Sequence, residues 1–179
     1  MKQLRYKKIV NRYKDSIFNQ AYYFIGNRTD AEDITQEVLI KLWYNLHQVK
    51  MKAVKAWIFK VTQNTCIDYA RKRKAHISIS INNNNEQVSI MENLTDLKPN
   101  PEQMAMSNDI TEQIKQFINR LPEKIRNVVI MRDIQDLKYD FIGETIGIPI
   151  NSVKAYLHRG RKLLLKQLLN YSKNDFRLE

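Results

Sequence analysis

The feature that most constrains this chain is a helix break at Gly147, Ile148 and Pro149, inside residues 138–169 (KYDFIGETIGIPINSVKAYLHRGRKLLLKQLL). Gly147 suits the left-handed turn that ends a helix, and Pro149 prevents that helix from continuing. The spacing predicts a short amphipathic helix over 139–146 and a long one starting at Asn151. Asn151 or Ser152 is expected to cap its first amides. Ile142, Ile146, Ile148, Val153 and Leu157 fall where two steeply crossing helices bury them against each other, the pattern of a helix-turn-helix. Val153, Leu157, Gly160, Leu164 and Leu168 form the expected inward stripe of the second helix.

The opposite face of that helix carries Lys154, Ala155, His158, Arg159 and Lys162. Cations reach phosphates and guanine edges, and small side chains let a helix sink into a major groove. A solvated basic face is the plainer alternative, but the break, the cap and the one-sided charge together favour DNA.

The composition of the chain as a whole points to an all-α fold. It has four glycines and four prolines in 179 residues, too few for a turn-rich β fold. Its net charge of +11 is unevenly spread. Residues 1–74 hold 16 basic and 6 acidic side chains, residues 75–110 hold 1 and 5, and residues 111–179 hold 13 and 8. Two basic blocks around an acidic connector suggest two contacts with a polyanion. Cys66 is the sole cysteine, which excludes an intramolecular disulfide and is expected to be a small buried apolar residue. No stretch has the length of a signal peptide's apolar core or a bilayer span, so a soluble cytoplasmic protein without membrane insertion is expected.

Taken in order, residues 3–25 predict a helix with Ile9, Tyr13, Ile17, Ala21 and Phe24 inward, ended by Gly26 and Asn27. A second follows, capped by Thr29 or Asp30, with Ile34, Val38, Leu42 and Leu46 buried. Asp33, Gln36 and Glu37 lie on another of its faces. In the third, Trp57, Ile58, Val61 and Thr65 are expected inward, while Lys60, Gln63, Asn64, Asp68 and Arg71 form a polar strip. That helix is expected to end in the cationic run 71–74. Four cations exceed what a helix terminus requires, which favours phosphate contact. The helical period is lost over 75–108, where Ile77 to Ile81 alternates as a short strand would. Asn82 to Asn85, then Pro99, Asn100 and Pro101, mark a linker. Fully extended, its 34 residues reach on the order of 110 Å, enough to hold two domains two DNA turns apart, about 70 Å. From Asp109 the helical pattern returns with Ile110, Ile114, Phe117, Ile118 and Leu121, then Pro122 and Ile125, Val128, Val129 and Met131.

Two stretches carry a family resemblance. DAEDITQEVLIKLW (residues 30–43), followed by AWIFKVTQNTCIDYARKRK, resembles the second region of extracytoplasmic-function sigma factors of the sigma-70 family. LPEKIRNVVIMRDIQDLKYDFIGETIGIPINSVKAYLHRGRKLL (residues 121–164) resembles their fourth region. The resemblance implies an all-α fold of two small helical domains joined by a flexible linker. A region 2 domain spans 1–76, the linker 77–108 and a region 4 helix-turn-helix domain 109–179. It implies that Asp33, Gln36 and Glu37 dock on the β′ subunit of core RNA polymerase, which is contacted through β′ and β. The expected −10 DNA contacts are Lys60, Asn64, Asp68, Arg71 and Arg73, with the loop between Leu46 and Trp57 holding a flipped base. The expected −35 reader comprises Ser152, Lys154, Ala155, Tyr156, His158, Arg159 and Lys162. Partners so implied are core polymerase, promoter DNA and an anti-sigma factor, often membrane-anchored. Lacking a large first-region extension and an extra C-terminal domain, the chain fits the minimal members. It departs from the family at Tyr156, where a basic residue is frequent, at Gly143, where alanine is usual, and at Phe141, where a polar residue is common.

An enzyme is disfavoured, because His47, His76 and His158 are isolated and no glycine-rich phosphate loop or metal-ligand spacing occurs. No cofactor is expected. The alternative is a free-standing helix-turn-helix regulator without affinity for core polymerase. That reading lacks a visible ligand pocket, phosphoacceptor or dimer interface in residues 1–75.

Overall fold

A computed structural model describes residues 2–82 and 110–175, all helices and short connections. Helices α1 (Lys2–Ile25), α2 (Arg28–Asn45) and α3 (Val54–Asn82) form a three-helix domain, with a 3₁₀ turn at Met51–Ala53 before α3. Helices α4 (Ile110–Asn119), α5 (Glu123–Val129), α6 (Tyr139–Ile146) and α7 (Ile150–Asp175) form the second. A π-helical turn, Ile130–Ile134, continues α5. The strand-like alternation at residues 77–81 is helical instead, since α3 runs through Asn82. A helix in progress gains one hydrogen bond per added residue, whereas a lone five-residue strand gains none. The Asn and Pro clusters of the expected linker beyond Asn82 lie outside the described residues.

The apolar stripes account for the first core. Ile9, Ile17, Ala21 and Phe24 of α1 meet Ile34, Val38, Leu42 and Leu46, all essentially inaccessible. On α3 the buried set differs from the expected one. Trp57 and Val61 are half-buried, while Phe59 and Gln63 are buried beside Ile58, Thr65 and Cys66. The reason is that α3 is covered on two sides, by α1 and α2 and also by α6 of the second domain. Burial pushes the Cys66 thiol pKa upward, as for a small apolar core residue.

Ile118, Leu121, Ile125, Val128, Val129, Ile130 and Met131 build the second core with Ile142, Val153 and Leu157 of the helix-turn-helix. Gly160 is where α7 crosses α5. A Cβ there would lie 2.5 Å from Val129 Cγ2 and 2.9 Å from Ile125 Cγ2, so only glycine permits the approach. Leu164 is half-buried and Leu168 is exposed, because α7 runs on past the core that would have covered it.

The two cores are continuous. Between them Gln135 Nε2 donates to the Ser16 carbonyl at 3.0 Å, Asn119 Nδ2 to that of Tyr23 at 3.3 Å, and Arg126 Nη1 to that of Phe24 at 2.9 Å. The rings of Phe59 and Phe141 meet edge to face at 6.2 Å.

Candidate nucleic-acid interface

Three surfaces carry the residues singled out above. The first is α2. Its cap is Asn27, whose side chain accepts from the Asp30 amide at 3.0 Å, rather than Thr29 or Asp30. The left-handed Gly26 (φ +80°) turns the chain early, so the helix begins at Arg28 and those two residues fall inside its first turn. Asp33, Gln36 and Glu37 are exposed, and Glu37 pairs with Lys41 at 2.6 Å. Two apolar side chains extend the same stripe: Ile40 and Tyr44, 55% and 69% exposed. The sequence carried the signal for them, an apolar pair four residues apart in register with the acids and off the buried stripe.

The second surface is the outer side of α3. Asn64, Asp68 and Arg71 are exposed along one stripe, and Lys60 at its head is half-buried. Gln63, expected in this strip, turns inward instead. Arg73 is half-buried and bonded to Asp30 at 3.3 Å. Asp30 also accepts from Tyr69, whose hydroxyl is pushed up to about 12 by burial and then by that bond. Because α3 continues to Asn82, the cations of 71–74 are not at its end, and stabilisation of a negative helix terminus does not account for them. The loop before α3 is tied to α1: the Arg5 guanidinium donates to the Val49 carbonyl, and its Nε approaches Met51 Sδ at 3.1 Å.

The third surface is the helix-turn-helix of α6 and α7. Gly147, left-handed at φ +74°, ends α6, and the amides of Gly147 and Ile148 both donate to the Gly143 carbonyl, at 2.8 and 3.0 Å. This tight return explains Gly143, where a Cβ would sit 2.8 Å from the Ile148 carbonyl oxygen. Helix α7 begins at Ile150, with the Pro149 carbonyl accepting its first amides, so Asn151 and Ser152 lie in the first turn rather than capping it. Lys154, Ala155, His158, Arg159 and Lys162 are exposed together, with Ser152 half-buried beside them. Tyr156 is half-buried and packs against the core, which withdraws it in part from that face. Arg161 clamps α7 to the π-helical turn through Asp133 at 2.5 and 3.2 Å, and this bond raises the guanidinium pKa. Beyond the reader, Leu163, Leu165, Leu168 and Leu169 are exposed.

No group of three or more metal-ligating side chains occurs among the described residues. The chemistry of these surfaces is that of contact: an acidic and apolar stripe on one domain, a mixed strip on α3, and a cationic helix face on the other domain.

Residues 9–76 match the family model for Sigma-70 region 2, and residues 111–164 that for Sigma-70, region 4. The chain is 33% identical over 162 residues to the ECF RNA polymerase sigma factor SigW of Bacillus subtilis (strain 168), covering 89% of this chain and 87% of that protein. It is 28% identical over 165 residues to the ECF RNA polymerase sigma factor SigE of Mycolicibacterium smegmatis, covering 92% of this chain and 62% of that one. Among solved structures it resembles the sigma factor RpoE from Bartonella quintana, in complex with the anti-sigma factor NepR. There the TM-score is 0.71 at 21% identity, over 90% of this chain and 95% of that one. It also resembles CnrH in complex with the cytosolic domain of CnrY, with TM-score 0.66 at 16% identity, over 91% and 86%. At these identities the structural likeness speaks to the fold.

Proposed function

The chain belongs to the extracytoplasmic-function family of RNA polymerase sigma factors, and from that premise we propose how its surfaces share the work of initiation. It is a transcription initiation factor that directs core polymerase to promoters. The observation that carries this is the pairing of region 2 and region 4 in one chain, in order, with a relative matched over nearly its whole length.

In our reading, residues 1–76 act as the domain that docks on core and handles the −10 element, and residues 109–179 as the −35 reader, with 77–108 between them. The acidic stripe of Asp33, Gln36 and Glu37 docks on β′, which its exposure on an otherwise cationic domain supports. Lys60, Asn64, Asp68, Arg71 and Arg73 follow the opened −10 strand. Flipping a base costs a few kcal/mol, which stacking and edge hydrogen bonds offset, and the exposed Met51 loop before α3 offers an apolar surface for this. Lys154, Ala155, His158, Arg159 and Lys162 enter the −35 major groove, with Ser152 and Tyr156 at its margin.

The polymerase supplies the chemistry, so this chain acts without a catalytic group of its own. No helix among the described residues is long and apolar enough to cross a membrane, and we assign the chain to the cytoplasm with the polymerase it serves. An anti-sigma factor is a further expected partner, since the sigma factor RpoE was solved bound to the anti-sigma factor NepR.

The test is capture of purified core polymerase, followed by transcription from a promoter pool with and without this protein. Stable capture with new promoter-specific transcripts is expected. DNA binding without capture of core would make the chain a free-standing regulator.

A further inference from the structure

We propose that Arg161 is a positioning residue rather than a reader of DNA: its ion pair with Asp133 sets the angle at which α7 presents Arg159 and Lys162 to the −35 bases. The role rests on the reading of α7 as the −35 helix; the pair itself rests on geometry. By sequence Arg161 would count with its neighbours, in the run His158, Arg159, Gly160, Arg161, Lys162. The structure separates them. Arg159 and Lys162 face solvent, whereas Arg161 sends two nitrogens to the two oxygens of one carboxylate, Nη2 to Asp133 Oδ1 at 2.5 Å and Nε to Oδ2 at 3.2 Å. Tyr139 stands against the same guanidinium. A cation paired in this way offers DNA no net charge, and its planar fork fixes an angle as well as a distance.

Asp133 stands on a fixed support. The π-helical turn that carries it is seated by Ile130 and Met131, both fully buried. The amides of Gln135 and Leu137 close it onto the carbonyls of those two residues, each at 3.0 Å. Arg132 ties down the next stretch, donating to Asp136 at 2.9 Å and to the Leu137 carbonyl at 3.0 Å, with its guanidinium 5.2 Å from the Tyr139 ring centre. Helix α7 is held less evenly. Val153 and Leu157 are buried, but at the crossing with α5 stands Gly160, which brings the backbones close and supplies no side chain to resist a roll. Beyond it the apolar grip thins: Leu164 is half-buried, and Leu163, Leu165 and Leu168 are exposed. The Arg161 pair sits one residue past that crossing, where packing alone fixes the helix least.

The consequence is for specificity rather than affinity. Side-chain tips lie about 6 Å from a helix axis, so a roll of about 10° moves them by roughly 1 Å. Hydrogen bonds to base edges require placement to about 0.5 Å, whereas attraction to phosphates tolerates such a shift. Loss of the pair therefore blurs the choice of sequence and leaves general attachment to DNA in place. The pair is also half-exposed, 54% at Arg161 and 30% at Asp133, and so adds little to stability; variants at either end should keep the fold.

The experiment uses the full chain and two duplexes, one selected by the wild-type chain from a random pool and one a scramble of the same composition. The ratio of the two affinities is read across salt concentrations. Asp133→Asn removes a negative charge beside the reading face, so electrostatics alone predicts tighter binding to both duplexes at an unchanged ratio. Positioning predicts the opposite pattern: the ratio falls about five- to tenfold, while binding to the scramble is kept or tightened. Arg161→Gln should lower the ratio equally without changing the slope of log affinity against log salt, which loss of a phosphate contact would reduce by about 1. The reversed pair, Asp133→Arg/Arg161→Asp, should recover most of the ratio, which a damaged fold could not do. An unchanged ratio in Asp133→Asn would overturn the role. So would a reduced salt slope in Arg161→Gln, or a reversed pair as poor as the single variants. A wild-type chain that selects no sequence at all would instead overturn the reading of α7 as the −35 helix, and the role of Arg161 with it.

Discussion

The Nη1 atom of Arg126 donates to the carbonyl of Phe24 at 2.9 Å, so a side chain of the second domain completes the final turn of a helix in the first. The same guanidinium donates twice to the Leu121 carbonyl, at 3.2 and 3.0 Å, and stands 5.0 Å from the Phe24 ring. Burial lowers its pKa, and its bonds into carbonyl oxygens offset that cost. Hydrogen bonds from a charged group contribute about 1.5–3 kcal/mol. Arg126→Ala should therefore lower the unfolding free energy in urea by about 2–3 kcal/mol. Arg126→Lys should recover less than half, because an ammonium cannot reproduce the fork.

Gly160→Ala tests the crossing of α5 and α7. Helix propensity alone predicts a gain of about 1 kcal/mol. The added methyl would overlap Val129 and Ile125, so a net loss of roughly 1–2 kcal/mol is expected from overpacking. Thermal unfolding should also show that Gly160→Ala costs less in a Val129→Ala background than in wild type.

Glu37→Lys reverses the charge at the centre of the exposed stripe on α2 and removes its pair with Lys41. Affinity for core polymerase should fall about tenfold, roughly 1.4 kcal/mol, while the affinity of the chain for −35 duplex DNA stays within twofold. Tyr44→Ala should weaken core binding in the same direction, since its ring continues that stripe. Unchanged core affinity in both variants would remove α2 from the docking face.

Lys162→Ala and Arg159→Ala separate two kinds of DNA contact. A lysine that meets only phosphate should, when removed, weaken all duplexes about equally and reduce the slope of log affinity against log salt by about 1. Arg159→Ala should weaken the preferred −35 sequence by about 1–3 kcal/mol more than unrelated duplex. Titration of both variants across salt concentrations makes the distinction.

Alkaline stability should report Tyr69. Its hydroxyl is held at about 12, above the usual 10.0, so the folded chain keeps a proton that the unfolded chain releases. The stability due to this group is complete below pH 10 and is lost as pH rises towards 12. Urea midpoints should fall over that window, and Tyr69→Phe should flatten part of the fall.

Much of this was legible in the chain. Helix type, order and core faces followed from the spacing of residues such as Ile34, Val38 and Leu42, because a 3.6-residue period is a local property. Gly147 marked the end of α6 for the same reason, since a left-handed residue is chosen at the turn itself. The departure at Gly143 could be seen, but its cause, the carbonyl of Ile148 folding back on it, needed coordinates.

Local rules failed where a second neighbour intervened. Asn27 displaced Thr29 and Asp30 as a cap because Gly26 started α2 early. Gln63 and Phe59 are buried because a helix of the other domain covers α3, and no periodicity within α3 encodes that cover. Leu168 continued a perfect stripe but found no core beyond Leu164 to enter.

The sequence by itself determined the helices, their inward faces, the cationic face of α7 and the acidic stripe of α2, all fixed by which side chains recur at helical spacing. Only the tertiary structure decided that the two domains close on each other, with Arg126 on Phe24, Gln135 on Ser16 and Phe141 on Phe59. Those pairs lie about a hundred residues apart and depend on complementary shape and on carbonyls left open at a helix end, which a linear pattern does not record.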